Sequence, residues 1–98
     1  MKITILSPAE KDLEEGYRFY DAQSPGLGTY FLDCLNSDID SLAYFAGIHP
    51  IAFGFHRLLS KRFPFAVYYH VTDETEIVFV VLDCRRNPSW IRERLMNN

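Results

Sequence analysis

Hydrophobic residues in this chain change their spacing once, near residue 50, and that change calls for two kinds of secondary structure in one domain. Up to residue 46 they recur every three or four positions. Ala9, Leu13, Tyr17 and Tyr20 form one stripe; Leu27, Phe31, Cys34, Leu35, Ile39, Leu42, Phe45 and Ala46 form a second. Such spacing predicts two helices, each with one apolar side. Beyond it, the segments 53–59, 63–71 and 76–84 are rich in Val, Ile, Phe and Tyr, the residues of strands. Two helices joined by a few residues fold back as an antiparallel hairpin, and their shared stripe must be covered by the sheet. The expected class is α+β in the order β-α-α-β-β-β-α: a mostly antiparallel sheet, an N-terminal helix hairpin on one face and a short C-terminal helix.

Local punctuation supports that order. Lys2 to Leu6 reads as a short strand. Ser7-Pro8-Ala9-Glu10 has the form of a capping box, with proline at the first helical position. Ser24-Pro25 repeats the start signal, while Gly47 and His49-Pro50 end the second helix. Thr72-Asp73-Glu74-Thr75 is a polar connection between two strands that should pair as a hairpin. Alternation along 65–71 places Phe65, Val67, Tyr69 and Val71 toward the helices, and Ala66, Tyr68 and His70 away from them. Segment 76–84 is apolar on both sides, the mark of a central strand. Asn87-Pro88 caps a terminal helix from Ser89 to about Leu95, anchored by Trp90 and Ile91.

Length and composition limit what such a domain does. With 98 residues there is room for a single domain, 1-98, and 48% hydrophobic content is enough to fold it. The longest glycine-free apolar run, Ile77 to Leu82, is far short of a membrane span, and no signal-peptide core follows Met1. Two distant cysteines make neither a disulfide scaffold nor a zinc motif, so the expected setting is cytoplasmic, with reduced thiols and no membrane. A net charge of −3 argues against a dedicated nucleic-acid binder. The charges are unevenly placed: residues 1–50 carry three basic residues against eight acidic ones, and residues 51–98 carry seven against five.

No cofactor or metal site is legible. Gly26-Leu27-Gly28 lacks the preceding strand and third glycine of a nucleotide loop. His49, His56 and His70 have no ligand spacing, and Cys34 reads as a small core residue. Cys84 adjoins two arginines that would lower a thiol pKa, but no partner base is identifiable. The stronger signal is basic. Arg57, Lys61 and Arg62 lie around the first strand connection, Arg85 and Arg86 end the last strand, and Arg92 and Arg94 follow on the terminal helix. A small antiparallel sheet brings such segments to one end, next to Tyr68 and His70. Guanidinium forks suit phosphate or carboxylate partners. Arg57, Arg62, Tyr68, His70, Arg85 and Arg86 are therefore the candidate binding residues.

Arg62-Phe63-Pro64-Phe65-Ala66-Val67-Tyr68-Tyr69, an acidic turn, an apolar strand and then Asp83-Cys84-Arg85-Arg86-Asn87-Pro88 together resemble the C-terminal half of RelE/ParE toxins, the branch often called plasmid-stabilisation proteins. The Ser7-Pro8-Ala9 start, the paired helices and the length extend the resemblance over nearly the whole chain. It implies a bacterial type II toxin that arrests growth and is neutralised by a cognate antitoxin. Family members either cut messenger RNA on the ribosome or poison DNA gyrase. For cleavage, Arg62, His70 and Arg86 are the candidate catalytic groups, since that reaction needs proton transfer and cations at the scissile phosphate. The chain departs from the ribonuclease pattern. Ala66 stands where those members tend to carry arginine, Arg92 or Arg94 where some carry tyrosine, and only Arg86 falls on an expected strand-end arginine. With a negative net charge as well, the resemblance implies a gyrase-directed toxin acting by protein contacts; the alternatives are a ribosome-dependent endoribonuclease and a non-toxic interaction subunit.

Overall fold

A computed structural model describes residues 2–97. The chain runs β1 (Lys2–Ile5), α1 (Ser7–Gln23), α2 (Leu27–Asp40), α3 (Leu42–Phe45), β2 (Ile51–Ala52), β3 (Phe55–Leu59), β4 (Phe65–Thr72), β5 (Thr75–Asp83) and α4 (Pro88–Met96). The strands lie in the order β1-β5-β4-β3-β2, with β1 parallel to β5 and the remaining pairs antiparallel. The α+β class, the helix hairpin on one face and the short terminal helix are as the periodicity requires.

Alternation sorts the two faces. Phe65, Val67 and Tyr69 of β4 join Leu13, Tyr20, Phe31, Leu35 and Ile39 in the main core under α1 and α2. Ala66 and Tyr68 point the other way and join Val80 and Leu82 beneath Ile91 and Leu95 of α4. A bulge in β5 adjusts this pattern: Tyr68 pairs with Val80 and Tyr69 with Val78, leaving Phe79 as the extra residue. Val78 and Val81 consequently face the same core although they are three residues apart.

Three local signals resolve differently from their sequence reading. The capping box at Ser7 does not form, because Leu6 ends the strand and starts the helix at once. Its N–H donates to Val78 O, while its carbonyl accepts from Ala9 and Glu10 at 3.0 and 3.1 Å. The second helix begins at Leu27, after Gly26 in the left-handed region (φ 92), and its cap comes from α1. Asp21 Oδ1 accepts the N–H groups of Gly26 and Gly28 at 2.9 and 3.2 Å. The apolar stripe stops at Leu42; the chain turns at Ser41, whose hydroxyl donates to Asp38 O, and Phe45 is left exposed. The strand expected from residue 53 is itself preceded by β2, joined to β3 through a tight turn at Phe53 and Gly54. Both have positive φ, 54° and 84°, a conformation that costs a bulky residue such as Phe53 about 1–2 kcal/mol.

The edge of β5 explains how α1 and α4 are tied together. β1 covers β5 only as far as Val78, so the Val81 N–H beyond it has no strand partner on that side. A buried backbone donor needs an acceptor, and Asp12 of α1 supplies it, with Oδ2 3.0 Å from Val81 N. Arg94 reaches round the edge from α4 and contacts both Asp12 oxygens, at 2.9 and 3.0 Å. Burial raises the Asp12 pKa, while the Val81 N–H and Arg94 oppose that rise.

Candidate functional site at the basic end of the sheet

The β3–β4 loop and the β5–α4 turn meet at one end of the sheet. Phe65 pairs with Asp83, Leu59 pairs with Ala66, and Cys84 N donates to Pro64 O at 2.7 Å. The stretches carrying Arg62, Arg85 and Arg86 therefore converge, as a short antiparallel sheet demands. All three side chains belong to exposed residues. Their surroundings differ. Arg85 forms a fork with Asp83, through Nε at 3.0 Å and Nη2 at 2.8 Å, which holds the Asp83 carboxyl below the usual range. Arg86 lies over the Trp90 ring, 3.8 Å from its centroid. Arg62 sits in the connecting loop.

Arg86, Trp90 and Arg94 line a cleft of about 300 Å³ together with Phe19, Phe65 and Leu82. Asp12, Glu15 and Asp83 line the same cleft, and Asp12 is paired with Arg94, so Arg86 stacked on Trp90 is the guanidinium left to meet a partner there. Sequence reading brought Arg86 and Arg94 to this end of the sheet but did not name Trp90 or Phe19 as their companions. Trp90 was read only as a packing anchor, and the Asp12–Arg94 pair spans too many residues for any local pattern to reveal it.

Two candidate residues stand elsewhere. Tyr68 faces away from the hairpin, as expected, but α4 covers it and leaves it 1% exposed. Its cross-strand neighbour is Arg57, and burial raises the phenol pKa while Arg57 opposes the rise. Tyr68 therefore supports the site from beneath. His70 lies toward the other end of β4, about 17 Å along the strand from Phe65. There it stacks on Phe55 (centroids 4.3 Å apart) and meets the edge of Phe79. The expected neighbourhood of His70 and the arginines is not present, because the strand length separates them. The arginines also do not activate Cys84: partial burial pushes its thiol up, and Arg57 opposes this only in part.

No protein-family model and no curated protein sequence matches the chain. Among solved structures, it superposes on a chain described as "Chromosomal ParDE TA system from P. aeruginosa". The TM-score is 0.72 at 19% identity, covering 83% of this chain and 92% of that one. The two chains share one fold.

A second polar cluster lies on the hairpin face, where the loop after α3 closes over Tyr69. The Tyr69 hydroxyl accepts from Gly47 N at 3.0 Å and is hydrogen-bonded to His49 Nδ1. His56 stacks on the Tyr69 ring, and its Nδ1 donates to His49 O at 2.9 Å. With Gly47 donating to the hydroxyl, the phenolic proton goes to Nδ1 of a neutral His49. Burial lowers the His49 pKa, and the neighbouring His56 lowers it further. Glu76, itself buried with a raised pKa, also faces Tyr69.

A base whose folded pKa is depressed stabilises the fold above its unfolded pKa and loses that contribution as pH falls. Below about pH 6.5 the loop over Tyr69 should loosen. The expected result is a His49 NMR titration midpoint below the ordinary imidazole value, with faster Gly47 amide exchange at pH 5.5 than at pH 7.5 after correction for intrinsic rates. Tyr69→Phe removes the hydroxyl that holds Gly47 and His49 and should speed Gly47 exchange at both pH values.

Proposed function

We propose that this chain is the toxin half of a type II toxin–antitoxin pair, acting in the cytoplasm through protein contacts, with DNA gyrase as its target. The observation that carries the reading is the ParDE fold, shared over most of both chains. The basic end of the sheet supports it. Arg62, Arg85 and Arg86 are exposed at this end, and Arg86 borders a cleft with Phe19, Phe65, Leu82 and Trp90, a surface that a partner with acidic and apolar side chains would cover. Messenger-RNA cleavage is the less favoured reading. Ala66 is buried where those ribonucleases tend to carry arginine, Tyr68 is covered, and His70 stacks on Phe55 away from Arg62, Arg85 and Arg86.

Expression of the chain alone should arrest bacterial growth, and co-expression of the antitoxin, a polypeptide encoded beside it, should relieve the arrest. The purified protein should inhibit supercoiling without producing ribosome-dependent RNA cleavage. Arg86→Ala should weaken the arrest about tenfold, the loss of one charge-assisted contact, whereas His70→Ala should leave it nearly intact. Total loss of arrest in His70→Ala, together with RNA cleavage by the parent, would favour the nuclease. No arrest at all from a folded, soluble chain would leave the non-toxic interaction subunit.

A further inference from the structure

Glu76 is 0% exposed, and neither oxygen of its carboxyl has a hydrogen-bond partner among the described residues. Asp12 shows the ordinary solution for a buried acid, an N–H on one oxygen and a guanidinium across both. Strand register denies Glu76 either. It precedes Val78 by two residues, so it points to the hairpin-facing side of β5. Its partners across the sheet are Ile3 of β1 and Val71 of β4, both apolar. Tyr69, opposite Val78, is the diagonal neighbour, but its hydroxyl is engaged with Gly47 and His49. An ionised carboxylate left without donors in such a place is costly, and the neutral acid costs far less.

The surrounding charges do not offset that cost. Burial raises the Glu76 pKa, and the positive amino terminus opposes the rise only in part. His49 and His56 engage Tyr69, and Asp12 of α1 is engaged further along β5. α3, packed on β1, offers only the exposed Tyr44. Asp38 of α2, Lys2 of β1, and Asp73 and Glu74 of the β4–β5 turn are not among the groups that shift it. We infer that Glu76 is a proton-operated latch at the outer edge of the sheet: the closed fold holds its neutral acid, and ionisation draws the side chain to water by parting β1 from β5. β1 is the element that yields, because it has four residues and is paired on one side only, in parallel. The pH dependence is opposite to that of His49. A carboxyl whose folded pKa is raised stabilises the fold fully below its unfolded value, about 4.3, and loses that contribution as pH rises through the folded one. The inference does not depend on the toxin reading, since Glu76 lies outside the basic end of the sheet.

Urea denaturation of the full chain between about pH 4 and about pH 8 tests it. The unfolding constant of the parent, divided by that of Glu76→Gln, should climb with pH, because glutamine keeps the shape and cannot ionise. Glu76→Leu, which carries no polar atom to satisfy, should be more stable than the parent at about pH 8. Two readouts need no variant. The Glu76 carboxyl carbon, followed by NMR, should titrate above the ordinary glutamate value of about 4.3. Amide exchange at Lys2 and Leu6, whose N–H groups bond Glu74 O and Val78 O, should quicken with that same midpoint after correction for intrinsic rates. A ratio of unfolding constants that stays within about twofold over the whole range overturns the inference. So does a carboxyl midpoint at or below the ordinary value, which would mean a carboxylate ion-paired with the amino terminus. Exchange in β1 that ignores the carboxyl titration overturns it as well, because ionisation then leaves the sheet edge closed.

Discussion

Asp12→Ala is expected to lower the stability of the fold by about 3 kcal/mol, the range for removing one partner of a buried, hydrogen-bonded ion pair. Asp12 is buried, and it serves two groups at once: the Val81 N–H that β1 is too short to cover, and the Arg94 guanidinium from the opposite face. Alanine leaves the amide without an acceptor and removes the tie between α1 and α4. For a domain of this length the melting temperature should fall by about 12–20 °C. Asp12→Asn retains an acceptor for Val81 and should fall between parent and alanine variant. Equivalent melting of Asp12→Ala and the parent would show that the sheet edge is closed by other contacts. Any effect on growth arrest should follow the fraction folded, since Asp12 lies in the wall of the cleft rather than at the exposed arginines.

Gly28→Ala should cost a similar amount, about 3 kcal/mol, by overpacking. A β-carbon at this position would stand 2.5 Å from the Tyr17 carbonyl oxygen and 2.7 Å from Asp21 Cβ. The first of these is backbone, so α1 and α2 must separate to admit the methyl group. The contrast with Gly26 isolates the cause. Gly26 has φ 92, but open space where its β-carbon would lie, so Gly26→Ala pays only for conformation, about 1 kcal/mol. Urea denaturation of the two variants should therefore place Gly28→Ala well below Gly26→Ala. The reverse order would mean that the helices are not in closest approach at Gly28.

Several elements were legible because their signal is local and periodic. Phe31, Leu35 and Ile39 sit on one helical face whatever they meet, and Phe65, Val67 and Tyr69 share one strand face by alternation. The terminal helix announces itself through Asn87, whose side chain accepts from Ser89 N at 2.8 Å. The convergence of Arg62 with Arg85 and Arg86 was legible too, since a hairpin returns its ends to the same place. His70 shows the limit: alternation gave the correct face but not its position along the sheet relative to the arginines. Cys84 shows another, since adjacent arginines in sequence did not decide its environment.

The order of elements, the class of fold and the composition of both sheet faces were determined by the sequence alone, because hydrophobic period and turn chemistry act between residues a few positions apart. Only the tertiary structure decided that Asp12 closes the β5 edge with Arg94, that Asp21 caps α2, that α4 buries Tyr68 and that Tyr69 anchors the loop through His49. Each of these joins groups brought together by packing, and a buried polar atom takes whichever partner the finished fold places within reach.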